Sequence, residues 1–206
     1  AAFITVRADI QDGLQAPDVT AAALPRIRAI ALPPGVTIQT GGAAEESAKA
    51  NASLAEIFPI MIATMVLLLM VQLQNIGRVA LVLATAPLGL IGAVAALLVA
   101  DAAFGFVALL GVIALAGMIM RNTIILVDQV QQDQAGGHSL AEAIVESTVR
   151  RARPVVLTAL AAILAFIPLS LNVFWGPMAI AMIGGLAAAT GLTLVFLPAL
   201  YALCYR

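Results

Sequence analysis

Arg121 is the residue whose surroundings demand a chemical explanation. From Ala102 to Val127 the chain carries no other charged side chain, and that stretch is long enough to cross a bilayer. A guanidinium at the bilayer centre costs roughly 2.5–3.5 kcal/mol on insertion scales, so such a charge is kept where it faces protein or water and meets a partner. A residue of this kind marks a route for ions, protons or substrate. A plainer use is also open. Asp128 lies two turns further on, about 10 Å at 1.5 Å per residue, so the head group could snorkel to the interface along its apolar stem. Position alone does not choose between the two.

The rest of the reactive inventory is small. With one His and one Cys, no Ser/His/Asp, Cys/His or metal-ligand grouping can be assembled, so an enzyme is not expected and no cofactor is called for. His138 follows Gly136-Gly137 in a loop and has no partner at ligand spacing. Cys204 allows no internal disulfide and reads as a packing residue near the end of an apolar helix. A net charge of −1 gives no reason to expect nucleic acid.

The elements that must position Arg121 are membrane helices. The chain is 63% hydrophobic and only 10% charged, far from the composition of soluble domains. Apolar runs of about 20 residues or more, the third interrupted by Arg121 and closed by Asp128, predict spans at 57–77, 79–100, 103–128, 154–171 and 177–204. The last two are separated by a turn signal at Asn172, Trp175, Gly176 and Pro177. Arg78, Arg150, Arg151, Arg153 and Arg206 all fall on one side, whereas the connections around Asp101 and Trp175 hold no Lys or Arg. That asymmetry predicts a cytoplasmic C-terminus and places residues 1–54 across the membrane, in the periplasm.

Residues 1–54 read as a strand–helix–strand segment of α/β type. Phe3–Ile10 alternates like a strand and Gln11–Gly13 turns. A helix opens at Pro17 and Asp18 and reaches about Ala31, and Val36–Thr40 forms a second strand after Pro33-Pro34-Gly35. No basic and apolar leader pattern precedes the first strand, so the expectation is the end of a larger domain rather than a signal peptide. Ala43–Glu56 is polar and helix-favouring and leads into the first span. On the other side, Ser139 and Glu142 form a capping-box pattern that opens a short amphipathic helix over 139–152, lying along the cytoplasmic surface. The expected fold is therefore a five-span, all-α membrane bundle over 55–206, preceded by a short periplasmic α/β segment. Small-residue positions Gly89/Gly92, Gly111/Gly117 and Gly184/Gly185/Ala189 suit close helix packing, with partners expected in other parts of a larger assembly.

These features together resemble a known family. LPPGV is followed by Gly41-Gly42, PLGLIG lies in the second span, ALLGVIALAGMIMRNTIILVDQ crosses the third, and RRARPVVLTALAAILAFIPL enters the fourth. Essentially the whole chain is similar to the C-terminal end of an inner-membrane permease of the resistance-nodulation-division (RND) superfamily, most of all its hydrophobic and amphiphilic efflux branch. The resemblance implies proton-driven export of hydrophobic or multidrug compounds, powered by the proton motive force without a cofactor. It also implies a homotrimer in the bacterial inner membrane, a periplasmic adaptor and an outer-membrane channel, with the remainder of the permease and the bilayer as further partners. A relative exporting metal ions or lipids, or a truncated module that only scaffolds a complete pump, are the alternatives.

The resemblance further implies a proton relay. Two aspartates from the first half of such a permease are answered by a basic residue, an arginine and a threonine, which match Arg121 (followed by Asn122), Arg151 and Thr158. The family usually has Lys where Arg121 stands. Arginine keeps the charge but cannot release a proton at working pH, so the carboxylates would carry the proton and Arg121 would be the fixed counter-charge. Arg151 and Thr158 are two helical turns apart and share a face. Each has a plainer use, Arg151 as a positive anchor at the inner surface and Thr158 in bonding a carbonyl one turn back.

Overall fold

The computed structural model describes residues 4–9, 11, 14 and 16–205. They form two compact units, Ala1–Ile60 and Met61–Arg206. Six helices follow in order: α1 (Ala16–Arg28), α2 (Ala43–Leu73), α3 (Ile76–Val99), α4 (Phe106–Ala135), α5 (Leu140–Ser170) and α6 (Gly176–Cys204). The last five are long and apolar enough to cross a bilayer.

In the first unit, α1 has Asp18 in its first turn and Arg26 and Arg28 in its last, each placed favourably for the helix dipole. The expected strands are not present among the described residues. Residues 4–9 and 36–40 adopt no regular secondary structure, while Phe3, Ile10, Asp12 and Gly13 lie outside the described set. A strand is completed by a neighbour that pairs its backbone groups, and no such neighbour is at hand here. Ile4 and Val6 are accordingly 94% and 89% exposed. The Pro33-Pro34-Gly35 turn does form. Gly35 has φ +88, as the third position of a type II turn requires, and Val36 N–H donates to the Pro33 carbonyl at 3.2 Å.

The second unit begins within α2 and turns sharply at Gln74 (φ 48) and Asn75. Asn75 caps α3, its Oδ1 accepting from Arg78 N–H at 3.3 Å. The turn falls earlier than the charge pattern suggested, so Arg78 lies in the first turn of α3. From there it donates to Gln131 Oε1 on α4 at 2.7 Å and sits 5.8 Å from the centroid of the Tyr205 ring. Arg206 is outside the described residues.

The capping box at α5 is complete: Glu142 N–H donates to Ser139 Oγ at 3.4 Å, and Ser139 N–H donates to Glu142 Oε2 at 3.1 Å. The surface helix expected over 139–152 and the span expected from Pro154 are one continuous helix. Pro154 removes a single backbone donor, whereas breaking the chain there would strip partners from several groups at the membrane edge. At the opposite end, Asn172 Oδ1 accepts from Phe174 and Trp175 N–H at 2.9 and 3.1 Å, forming the turn before α6.

α6 is the central post, packed against α3, α4 and α5. Its closest approach is to α3. A Cβ on Gly184 would run into Ala96 Cβ and the Gly92 carbonyl, and one on Gly92 would meet the Gly184 carbonyl and Ala188. These small residues therefore find their partners inside this chain, as does Gly111 against Met178, whereas a Cβ on Gly117 would meet nothing within 4 Å. Gly184→Ile should push α3 from α6 and cost on the order of 1–3 kcal/mol or more by overpacking. Gly117→Ala should leave this packing unchanged. Unfolding in mixed micelles followed by circular dichroism measures both.

Candidate functional site

One face of α4 is buried through Gly111, Leu115, Ile119, Thr123, Leu126 and Val130, at the three- and four-residue spacing of a packed helix face. On the other face, Ala114, Gly117, Met118 and Arg121 are exposed. Arg121 stands midway along α4 on its exposed side, where none of α3, α5 and α6 covers it. It has neither a hydrogen bond nor an ion pair with any described residue. Asn122 beside it is half-buried. Met118 is exposed one turn before Arg121, whereas Met120 is buried in the core, so the two do not form a ladder.

The rotation of α4 that turns Arg121 outward is fixed from behind by Thr123. Its hydroxyl lies 3.0 Å from that of Thr85 on α3, and both residues are 0% exposed. Thr85 Oγ1 also lies 2.7 Å from the Val82 carbonyl, and Thr123 Oγ1 lies 3.0 Å from the Ile119 carbonyl. Two hydroxyl protons serve three contacts, so one hydroxyl donates across to the other helix while its partner donates to its own backbone.

Arg151 is half-buried and reaches across to α4, where its Nη2 donates to Gln129 Oε1 at 2.8 Å. Thr158 is exposed, and its hydroxyl lies 2.9 Å from the carbonyls of both Pro154 and Val155 on its own helix. No hydrogen bond or ion pair joins any two of Arg121, Asn122, Arg151 and Thr158. Depth does relate two of them. α4 and α5 run antiparallel with Gln129 level with Arg151, so eight residues back along α4 and seven forward along α5 put Arg121 and Thr158 about 12 and 10 Å from that level. Both therefore stand at similar depth, each on an uncovered helix face.

A cluster that sequence reasoning passed over lies at the basic end. Asp133 is only 9% exposed and accepts from Ser147 Oγ at 2.6 Å, Gln129 Nε2 at 3.2 Å and Arg150 Nη1 at 3.5 Å. In sequence, Gln129–Gln134 is a mostly polar end of a helix. Nothing in it distinguishes the one acid that folds back under α5.

Five helices long and apolar enough to cross a bilayer, with a cation on an exposed face of α4 that no described residue pairs, mark a multi-pass membrane protein. The model of the AcrB/AcrD/AcrF family matches residues 1–205, and the chain belongs to that family of RND permeases. It is 35% identical over 182 residues to the nickel-cobalt-cadmium resistance protein NccA of Alcaligenes xylosoxydans xylosoxydans, covering 86% of this chain and 17% of that protein. It is 32% identical over 182 residues to the cobalt-zinc-cadmium resistance protein CzcA of Cupriavidus metallidurans, covering 86% of this chain and again 17% of the relative. A crystal structure of a heavy metal efflux pump superimposes with a TM-score of 0.73 at 33% identity, covering 91% of this chain and 19% of that one. The chain thus spans under a fifth of the length of these relatives.

The Thr85–Thr123 contact can be measured by a double-mutant cycle with Thr85→Val and Thr123→Val. Because each hydroxyl keeps a backbone acceptor, the expected coupling is about 0.6 kcal/mol and at most about 1.7 kcal/mol. A coupling of zero in micellar unfolding would show that α4 is not oriented by this pair.

Proposed function

We propose that the chain is the C-terminal membrane portion of a proton-driven RND permease that exports transition-metal ions, with Arg121 as the fixed counter-charge of its proton switch. The cargo is supported by the relatives, whose names specify nickel, cobalt, cadmium and zinc, and by the heavy metal efflux pump whose fold it shares. This displaces the hydrophobic and multidrug branch expected from the motifs. All of those motifs but LPPGV and Gly41-Gly42 lie in the membrane helices, which in this reading carry the drive rather than select the cargo.

The switch is carried by one observation, the unpartnered guanidinium midway along α4. Carboxylates from the first half of the permease pair with it. Protonation removes their charge, weakens the pair and lets the helices shift, and the periplasmic region cycles between access and release. Arg121 stays charged throughout because a guanidinium does not deprotonate at working pH. Arg151 supplies a second cation nearer the cytoplasm, Thr158 a hydroxyl at the level of Arg121, and Asn122 a neighbouring amide. In this reading the basic end faces the cytoplasm, residues 1–54 face the periplasm, and the assembly is a trimer with an adaptor and an outer-membrane channel. A module that only scaffolds a complete pump would have no need of a cation midway along a span.

In the complete permease carrying this segment, Arg121→Ala should reduce cobalt tolerance of a metal-sensitive host to that of cells lacking the pump, with the amount of membrane-inserted protein unchanged. Normal tolerance in that variant ends the counter-charge reading. Proteoliposomes holding only these 206 residues should move no cobalt under an imposed pH gradient, because the carboxylate half of the switch is missing.

A further inference from the structure

We propose that Gln129 and Asp133 are positioning residues for Arg151, holding its guanidinium in place without neutralising it. The inference deepens the proton-switch reading and rests on it, since it explains how the second cation is kept fixed yet without an acid partner in this chain.

The argument begins with hydrogen-bond polarity. A guanidinium only donates and an ionised carboxylate only accepts. The Gln129 amide joins the two: its Nε2 donates to Asp133 Oδ1 at 3.2 Å, and its Oε1 accepts from Arg151 Nη2 at 2.8 Å. Turning the amide over would set NH₂ against a guanidinium and oxygen against a carboxylate, and both contacts would fail. Asp133 therefore dictates that the amide oxygen faces Arg151.

Asp133 is itself immobilised. It is nearly buried, its Oδ2 accepts from Ser147 Oγ at 2.6 Å, and its charge is answered by Arg150 at 3.5 Å. Arg150 also pairs with Glu146 at 2.8 Å, and His138 completes the group, with Nδ1 3.1 Å from the Asp133 carbonyl and Nε2 3.8 Å from Glu146. The acids of this end are thus engaged with Arg150, His138 and hydroxyl or amide donors. Asp128, one residue before Gln129, accepts from Gln132 Nε2 at 2.8 Å. Among the described residues no carboxylate lies within 4.0 Å of Arg151.

Two adjacent arginines are therefore treated differently. Arg150 is spent on local acids and clips α5 to α4. Arg151 is parked on a neutral amide, with its full charge available to a carboxylate brought by the rest of the permease. If the cluster were only a clip, Gln129→Glu would loosen α5 from α4, since its carboxylate would face Asp133 with no proton to donate, but the pH midpoint of transport would stay where it was. A glutamate at that position would instead neutralise Arg151. The relay carboxylates would lose a nearby cation that favours their ionised form, and they would take up protons at higher pH.

The test uses the complete permease carrying this segment in a metal-sensitive host, with membrane protein quantified for every variant and cobalt tolerance measured across a range of external pH. Gln129→Glu should lower tolerance about tenfold or more, as expected for a misplaced functional charge, and should move the pH midpoint of transport upward. Arg151→Ala is run in parallel. If Arg151→Ala keeps normal tolerance, the assignment of Arg151 to the switch fails. If Arg151→Ala abolishes tolerance while Gln129→Glu keeps the pH midpoint of the parent, whether or not it lowers tolerance, the positioning inference is overturned and the switch stands.

Discussion

A guanidinium in hydrocarbon is costly unless negative charge or water answers it, and among the described residues no acid lies at the level of Arg121. Asp101 lies in the turn between α3 and α4, and Asp128 lies two turns toward the basic end, engaged with Gln132. The magnitudes are comparable. Placing the cation at the bilayer centre costs roughly 2.5–3.5 kcal/mol, and one carboxylate at 4 Å returns about 4 kcal/mol at an effective dielectric constant of 20. In the proposed reading, one acid from outside this chain offsets that cost, and protonating it removes the offset. Marginal balance of this kind is what a proton-driven switch needs.

The frame that presents this charge is stiff where the charge is anchored and open where it points. α6 and α3 touch backbone to backbone at Gly92 and Gly184, and the Thr85–Thr123 pair ties α3 to α4 behind Arg121. The opposite faces of α4 and α5 are bare, with Leu157, Leu160 and Leu164 exposed along α5. α2 contributes Leu69 and Leu73 to the core while Leu67, Leu68 and Val71 remain exposed. In water such surface would be unfavourable. In a membrane it is ordinary, and next to the two cations it is the natural seat for other helices.

Much of this was legible from residue order because the signals are local. Ser139 and Glu142 announced the start of α5, Asn172 with Gly176 and Pro177 announced the turn before α6, and the apolar runs fixed five helices by length alone. Signals that depend on a distant neighbour failed. Alternation in residues 4–9 and 36–40 describes segments able to be strands, but no pairing partner is among the described residues. The hydrophobic-efflux reading came from membrane motifs that the superfamily shares, and the metal-resistance relatives moved the cargo assignment elsewhere. Asp133 was hidden for the same kind of reason, since its importance lies in Ser147, fourteen residues away, closing over it.

Composition and spacing determined that this is a multi-pass membrane bundle carrying a costly cation in its third span, because hydropathy, span length and the price of an intramembrane charge are properties of short stretches of chain. Tertiary structure decided where that cation points, which glycines meet each other, and which of two neighbouring arginines is paired with acids and which rests on a neutral amide. Those outcomes depend on helix rotation and on side chains facing one another across α3, α4, α5 and α6. Linear order does not encode such distances until the helices pack.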